Sequence, residues 1–422
     1  MESKKVIQVE EKVPLKLMIP LSLQHMFAMF GASVLVPIIF NINPSVVLLM
    51  NGIGTLLFIL ITKGKAPAYL GSSFAFLAPA GLVISKWGYQ DALGGFIVVG
   101  LALCFIALII YKFGVNWIDI VLPPAAMGPV VALIGLELAS SAANTAGLLD
   151  AEINPKNVIV FLVTLAFAVF GNVLFRKFFA IIPILIAIVA GYITALFTNL
   201  ITVDTVVEAL KTDFFVVPNF QAPRFNLEAI IMILPVVLVV ASEHIGHQLV
   251  TSKIVERDLI KDPGLHRSMF ADGLSTALSG LVGAVPTTTY GENIGVMAMT
   301  KVYSVRVIGG AAVLSIIASV VGPIAAIIQT IPNPVIGGIS FLLYGMIGAS
   351  GIRVLVDEQV DYGRNRNLIL SSVVFVTGLS GVALKIGQVE LKGMILACIV
   401  GMVLSLLLFI FDKLKITNDL ES

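Results

Sequence analysis

Thr287-Thr-Thr-Tyr-Gly-Glu292 breaks into a chain that is otherwise rich in long apolar runs. Three β-branched residues, an aromatic ring and a glycine favour extended backbone over helix. A counterpart, Gly71-Ser-Ser-Phe-Ala-Phe76, holds the corresponding place in the first half of the chain. Extended backbone in hydrocarbon leaves N–H and C=O groups unpaired, which is tolerated only where partners or a cavity satisfy them. We therefore expect two short antiparallel strands that pair with each other. Each would feed a half-helix whose N-terminal amides point at a ligand.

The rest of the chain explains why such a break sits in a membrane. Of 422 residues, 58% are hydrophobic and only 12% are charged. Soluble domains carry roughly twice that charge, so a soluble enzyme, a nucleic-acid binder and a disordered chain are excluded. The net charge is 26 − 25 = +1, which implies no bulk electrostatic partner. Cys104 and Cys398 both lie in apolar runs and suggest neither a disulfide framework nor a cysteine metal site. Apolar runs of bilayer length fall at 17–40, 44–61, 92–113, 124–143, 157–172, 181–200, 227–251, 268–285, 305–331, 334–350, 368–379 and 391–414. The interrupted stretches 69–84 and 287–299 raise the count to fourteen. With the N-terminus inside, these fourteen spans place 20 Lys and Arg residues on the cytoplasmic side and 6 outside. That positive-inside bias predicts a multi-pass protein of the plasma membrane with both termini cytoplasmic. No small-residue cleavage site follows the first run, which reads as a retained span.

The halves repeat. Pro124, Gly128, Gly135, Ala139 and Ser140 recur 210 residues later as Pro334, Gly338, Gly345, Ala349 and Ser350. Pro20, Gly31 and Gly94-Gly95 recur at an offset of 215. Seven spans per half is an odd number, so the second half enters from the opposite side. The expected fold is an all-α integral membrane protein with a 7+7 inverted repeat, its strands in the third and tenth segments. Inverted repeats with paired broken segments mark secondary transporters that bind substrate near the midplane.

Ionisable residues at membrane depth are costly, and each needs a reason. The candidates are His25, Glu137, Glu243, His244, His247 and Glu292. Glu243 and His247 share a helix face by their i,i+4 spacing, and Glu292 follows the second break. His25 reads as a core histidine bonded to a carbonyl, and Glu137 as a span-end group that bonds a neighbouring helix or snorkels toward the interface. His244 stays open between a structural and a functional role. Glu243-His-Ile-Gly-His247 matches no metalloprotease pattern and lacks a third ligand, so no metal is expected.

Glu292-Asn-Ile-Gly-Val-Met-Ala-Met-Thr-Lys301 resembles the signature of the nucleobase–ascorbate transporter family, with every fixed position matched. Leu21–Gly31, Tyr69–Phe76, Ala241–His247 and Pro263–Ala271 extend the resemblance over nearly the whole chain. Glu at 292 after Tyr290-Gly291 is similar to the uracil branch rather than the purine branch. The resemblance implies proton-coupled import of uracil by alternating access, with the proton as coupling ion and no cofactor. It implies a core domain (residues 1–113 and 227–331) and a gate domain (114–200 and 332–414), with a homodimer formed through the gate. It assigns substrate contacts to Glu243, Glu292, Tyr290, Ala32, Ser340, Tyr344 and the backbone amides of Phe74 and Gly291. It assigns proton coupling to Glu243 and His247. Transport of a purine such as xanthine or urate, and a passive nucleobase channel, are the alternative readings.

Overall fold

The computed structural model describes residues 6–176, 179–387 and 389–417. Lys4, Lys5 and Lys177 of the inner cation set lie outside the described residues, as does the side chain of Ala32. The principal helices are α1 (Leu15–Ile39), α2 (Pro44–Ile61), α3 (Leu77–Trp87), α4 (Tyr89–Phe113), α5 (Pro124–Glu137), α6 (Pro155–Leu174) and α7 (Pro183–Phe197). The second half supplies α8 (Val236–Val255), α9 (Leu265–Val282), α10 (Gly291–Thr300), α11 (Val305–Ser319), α12 (Asn333–Asp357), α13 (Asn365–Leu379) and α14 (Gly393–Lys413). Among the described residues, eight helical stretches are long and apolar enough to cross a bilayer.

Local chemistry sets the boundaries. Asn43 and Asn154 each accept a backbone N–H at the start of α2 and α6, ahead of a proline at the first helical position. The run expected at 227–251 is two helices, Leu227–Ile233 and α8, parted at Pro235, which has no N–H to continue the ladder. The run expected at 305–331 likewise splits, ending α11 at Ser319 and resuming at Gly322–Gln329 with Pro323 in its first turn. The strand expectation was incomplete. Ala383–Ile386 and Val389–Lys392 form a second antiparallel hairpin, with Lys392 opposite Ala383. The alternation in Val-Glu-Leu-Lys, a period-2 signal, was absorbed into an apolar run that really begins at Gly393.

The helices pack in two groups. In one, α9 crosses α4, while α11 packs on α1 and α2. In the other, α12 crosses α5 and α6, while α13 and α14 pack on each other and on α5. Each group has a crossing where glycine lets backbones touch. A Cβ on Gly100 would lie 2.4 Å from the Ala277 nitrogen, and one on Gly135 would lie 2.0 Å from the Tyr344 carbonyl oxygen. Small residues at such crossings are what helix association in lipid requires. The groups meet where α8 passes α5 and α14, and where α1 passes α7 and α12.

Ahead of α1 the chain straps across the α10–α11 connection. Ile7 bridges Val302, Val9 is fully buried, and Arg257 Nη1 lies 2.6 Å from Glu10 Oε1. The Arg257 guanidinium holds the Glu10 carboxyl below the usual carboxylate range.

The two broken segments come together between the groups. Strand β1 (Leu70–Ser72) pairs antiparallel with β2 (Thr287–Thr289), setting Leu70 opposite Thr289 and Ser72 opposite Thr287. A single 3-10 turn (Phe74–Phe76) leads from β1 into α3, and β2 leads through Tyr290 into α10.

Candidate substrate site

Three successive threonines look unsuited to an apolar interior until each hydroxyl is traced. Thr287 Oγ1 lies 2.6 Å from Ser275 Oγ on α9. Thr288 Oγ1 donates to Asp272 Oδ2 at 3.2 Å, also on α9. Thr289 Oγ1 lies 3.0 Å from His247 Nδ1 on α8. Strand β2 is thus moored to two helices through its side chains. Strand β1 is moored through backbone atoms instead. The Leu70 N–H donates to Thr55 Oγ1 at 2.9 Å, the Ser73 N–H donates to the Pro286 carbonyl at 2.8 Å, and the Tyr290 hydroxyl donates to the Ser72 carbonyl. A buried polar group left unpaired costs about 1–3 kcal/mol, so these bonds are what permits extended backbone at this depth.

A cavity of about 380 Å³ opens beside the strand pair. Its inner wall includes Glu243, His247, Glu292, Tyr290, Gly291, Phe74 and Ser72. Glu243 and His247 stand one turn apart on α8, and both are partly exposed where they face this space. Glu292 lies in the first turn of α10, and Gly291 begins that helix with an exposed backbone. The first amides of a helix have no intrahelical acceptor, so α10 offers N–H donors to the cavity from the Gly291 end. Glu243 Oε2 is buried with no hydrogen-bond partner among the described residues. That oxygen is free to accept a hydrogen bond from a donor in the cavity.

Aromatic rings shape the space. Phe74 meets Tyr290 with ring centroids 6.3 Å apart and Tyr344 at 6.0 Å, both edge to face. The Tyr290 ring lies against Gly71, where a Cβ would come 2.7 Å from its Cε2. From these groups the cavity runs past Val250 and Ile254 to Arg353 and Asp357, which pair at 3.3 Å at its mouth. The mouth thus opens at the ends of α8 and α12 that carry Lys253 and Arg353.

Of the residues singled out in the sequence, Glu243, His247, Glu292, Tyr290, Gly291 and Phe74 come together on one cavity wall. Ser340 and Tyr344 stand outside the lining. Ser340 Oγ donates to the Ile336 carbonyl of its own helix at 2.7 Å, and the buried Tyr344 reaches the site only through Phe74. On α1, Ala28 lines the cavity. The remaining ionisable groups are occupied elsewhere. His244 is fully buried, with Nδ1 2.9 Å from Asp272 Oδ2 and Nε2 3.0 Å from Ser268 Oγ. His25 Nδ1 accepts from Asn293 Nδ2 at 3.1 Å, tying α1 to α10. Glu137 Oε2 accepts the Met394 N–H at 3.0 Å and so caps α14. Sequence reasoning passed over the chain Thr288–Asp272–His244–Ser268. Its one outward sign was the run of three threonines.

A family model described as a permease family matches residues 16–387. The uracil permease of Escherichia coli strain K12 is 55% identical over 416 residues, spanning 98% of this chain and 96% of that protein. The uracil permease of Paenibacillus larvae subsp. larvae is 53% identical over 421 residues, spanning 98% and 99%. That of Bacillus subtilis strain 168 is 46% identical over 400 residues, spanning 92% and 91%. Among solved structures, the transmembrane domain of the cyanobacterial bicarbonate transporter BicA matches with a TM-score of 0.64 at 12% identity, over 94% of this chain and all 100% of that one. The murine anion transporter Slc26a9 in its inward-facing state matches with a TM-score of 0.71 at 13% identity, over 96% of this chain and 69% of that one. At such identity these two matches speak for the fold alone.

Proposed function

The chain belongs to the nucleobase–ascorbate transporter family, and on that premise we propose that it imports uracil by proton symport through alternating access. It is a multi-pass membrane transporter and not an enzyme. The observation that carries the uracil reading is that one cavity gathers Glu243, His247, Glu292 and the exposed start of α10. Uracil is a flat ring whose edge alternates N–H donors and carbonyl acceptors. Carboxylates accept the N–H groups through charge-assisted bonds, the stronger kind. The amides of Gly291 and Phe74, each at the start of a helical turn, donate to the carbonyls. Phe74 and Tyr290 flank the ring. A site built around such polar groups rejects analogues that lack them.

In this reading Glu243 is the group that gains and loses the coupled proton, with His247 one turn along α8 as its relay. The proton taken up on Glu243 travels with the neutral substrate, so one positive charge crosses with each uracil. The two helix groups are the moving parts, a core of α1–α4 with α8–α11 and a gate of α5–α7 with α12–α14. The mouth between Arg353 and Val250 belongs to the cytoplasmic side in this scheme, which makes the conformation inward-open. Fourteen spans in a 7+7 inverted repeat, cytoplasmic termini, a place in the plasma membrane and a homodimer through the gate complete the proposal. Apolar side chains exposed on α6, such as Phe170 and Val173, supply surface for lipid or for that second copy.

Uptake of labelled uracil into proteoliposomes tests the substrate, with unlabelled xanthine, urate and thymine as competitors. Uracil alone should compete strongly. Equal competition by xanthine would move the assignment to the purines, and uptake that never exceeds equilibration would favour a passive pore.

A further inference from the structure

We propose that Thr289 is the positioning residue for His247, and that strand β2 thereby ties the proton-handling helix to the substrate-binding turn. The inference rests on the reading of the cavity as a proton-coupled uracil site. Its geometric basis is separate.

Thr289 Oγ1 lies 3.0 Å from His247 Nδ1, and Thr289 is 2% exposed. The threonine is the fixed partner of the two. Its backbone is opposite Leu70 in the strand pair, and its neighbours Thr287 and Thr288 are bonded to Ser275 and Asp272 on α9. His247 is a side chain on the cavity wall, partly exposed, and the Thr289 hydroxyl is the side chain that holds its Nδ1. Fixing one imidazole nitrogen decides what the other does. Whichever of His247 and Thr289 is the donor, the bond occupies Nδ1 and leaves Nε2 as the nitrogen toward the cavity. The ring is already turned that way, since a Cβ on Gly291 would stand 3.6 Å from Nε2. One residue separates Thr289 from Gly291, and Glu292 follows directly, so the strand that orients the imidazole also sets the amide and carboxylate of the ligand turn.

Other titratable groups around His247 differ from it. Glu243 and His244 share its helix, Glu292 and Tyr290 face it from the second broken segment, and Asp272 stands behind on α9. His244 has both nitrogens engaged by Asp272 and Ser268, which leaves His247 as the imidazole of α8 with a nitrogen toward the cavity.

The test uses the full chain in proteoliposomes. Thr289→Val keeps the β-branched shape and strand preference but removes the hydroxyl, and Thr289→Ser keeps the hydroxyl. We expect Thr289→Val to bind uracil within about threefold of the wild type, since the hydroxyl is engaged by His247. Its uptake driven by a pH gradient should fall about fivefold to tenfold, the loss of one neutral hydrogen bond. Its uptake-versus-pH profile should shift, and Thr289→Ser should restore both. In a His247→Ala background, Thr289→Val should add no further loss. A purely structural threonine would instead lower thermal stability and leave the pH profile unmoved. If the valine variant does not fold, Thr289→Cys takes its place under the same criteria. A wild-type pH profile and wild-type proton flux in Thr289→Val would overturn the inference. Wild-type protein without gradient-driven uptake would sink the parent reading instead, so the two failures are distinct.

Discussion

Strands β1 and β2 lie side by side at one depth, and each has a backbone bond to a neighbouring threonine hydroxyl. Yet the side-chain bonds that hold β2 have no counterpart on β1 among the described residues. Strand β2 is secured by side chains, with its three hydroxyls bound to Ser275, Asp272 and His247. Strand β1 is secured by backbone, through Thr55, Pro286 and the Tyr290 hydroxyl, while Ser72 Oγ and Ser73 Oγ are buried with no partner among the described residues. Charge is divided the same way, since Glu243, His247 and Glu292 all belong to the second half, while the first lends uncharged groups such as Ala28, Ser72 and Phe74. Two broken segments that pair with each other thus do different work. One stands with the ionisable groups and the bonds that orient them, and the other supplies uncharged wall and backbone.

Breaking the charged side should have the largest effect. Glu292→Gln should weaken uracil binding by about 10- to 100-fold, the scale of a hydrogen bond to a charged group, and Glu243→Gln, which cannot exchange a proton, should abolish gradient-driven uptake. Equilibrium binding to purified protein measures the former, and affinity within twofold of wild type would remove Glu292 from the site. Next comes the contact between the two segments. Gly71→Ala would put a methyl 2.7 Å from the Tyr290 ring. Overpacking of this kind costs about 1–3 kcal/mol. Binding should fall about tenfold in a protein that still folds, and unchanged binding would show that the position of Tyr290 does not matter. The mooring of β2 is third. Thr288→Val takes a donor from buried Asp272 and should cost about 1–3 kcal/mol, read as a lower melting temperature in detergent. The smallest effect belongs to β1. Ser73→Ala removes a hydroxyl with no partner among the described residues, so stability should stay within about 0.5 kcal/mol of wild type. If Ser73→Ala and Thr288→Val destabilised equally, the contrast between the strands would collapse.

That contrast also explains what the sequence could and could not say. Composition and charge patterning made the membrane class plain, because apolar length and cation placement are written residue by residue. The strand pair was foreseeable from Thr287–Thr289 and Gly71, since β-branched and glycine residues at a polar interruption have few other uses. Glu243, His247 and Glu292 stood out because charge is scarce in this chain. The hairpin at 383–392 was hidden, as Val-Glu-Leu-Lys abuts an apolar helix and a window built for long runs merges the two. The division of labour between His244 and His247 was hidden as well. Three residues apart in sequence, they differ only in what the folded chain brings to them: Asp272 and Ser268 to one, Thr289 and an open cavity to the other. The backbone mooring of β1 left no trace at all, because every residue type carries the same amide.

The central claim is that a proton and uracil move together through the cavity beside these strands. Labelled uracil uptake into proteoliposomes, with and without an imposed inward pH gradient, tests it most directly. The account predicts accumulation above equilibration only when the gradient is present, with alkalinisation of the external medium on adding uracil. Uptake that ignores the gradient, or an external pH that does not move, would contradict it.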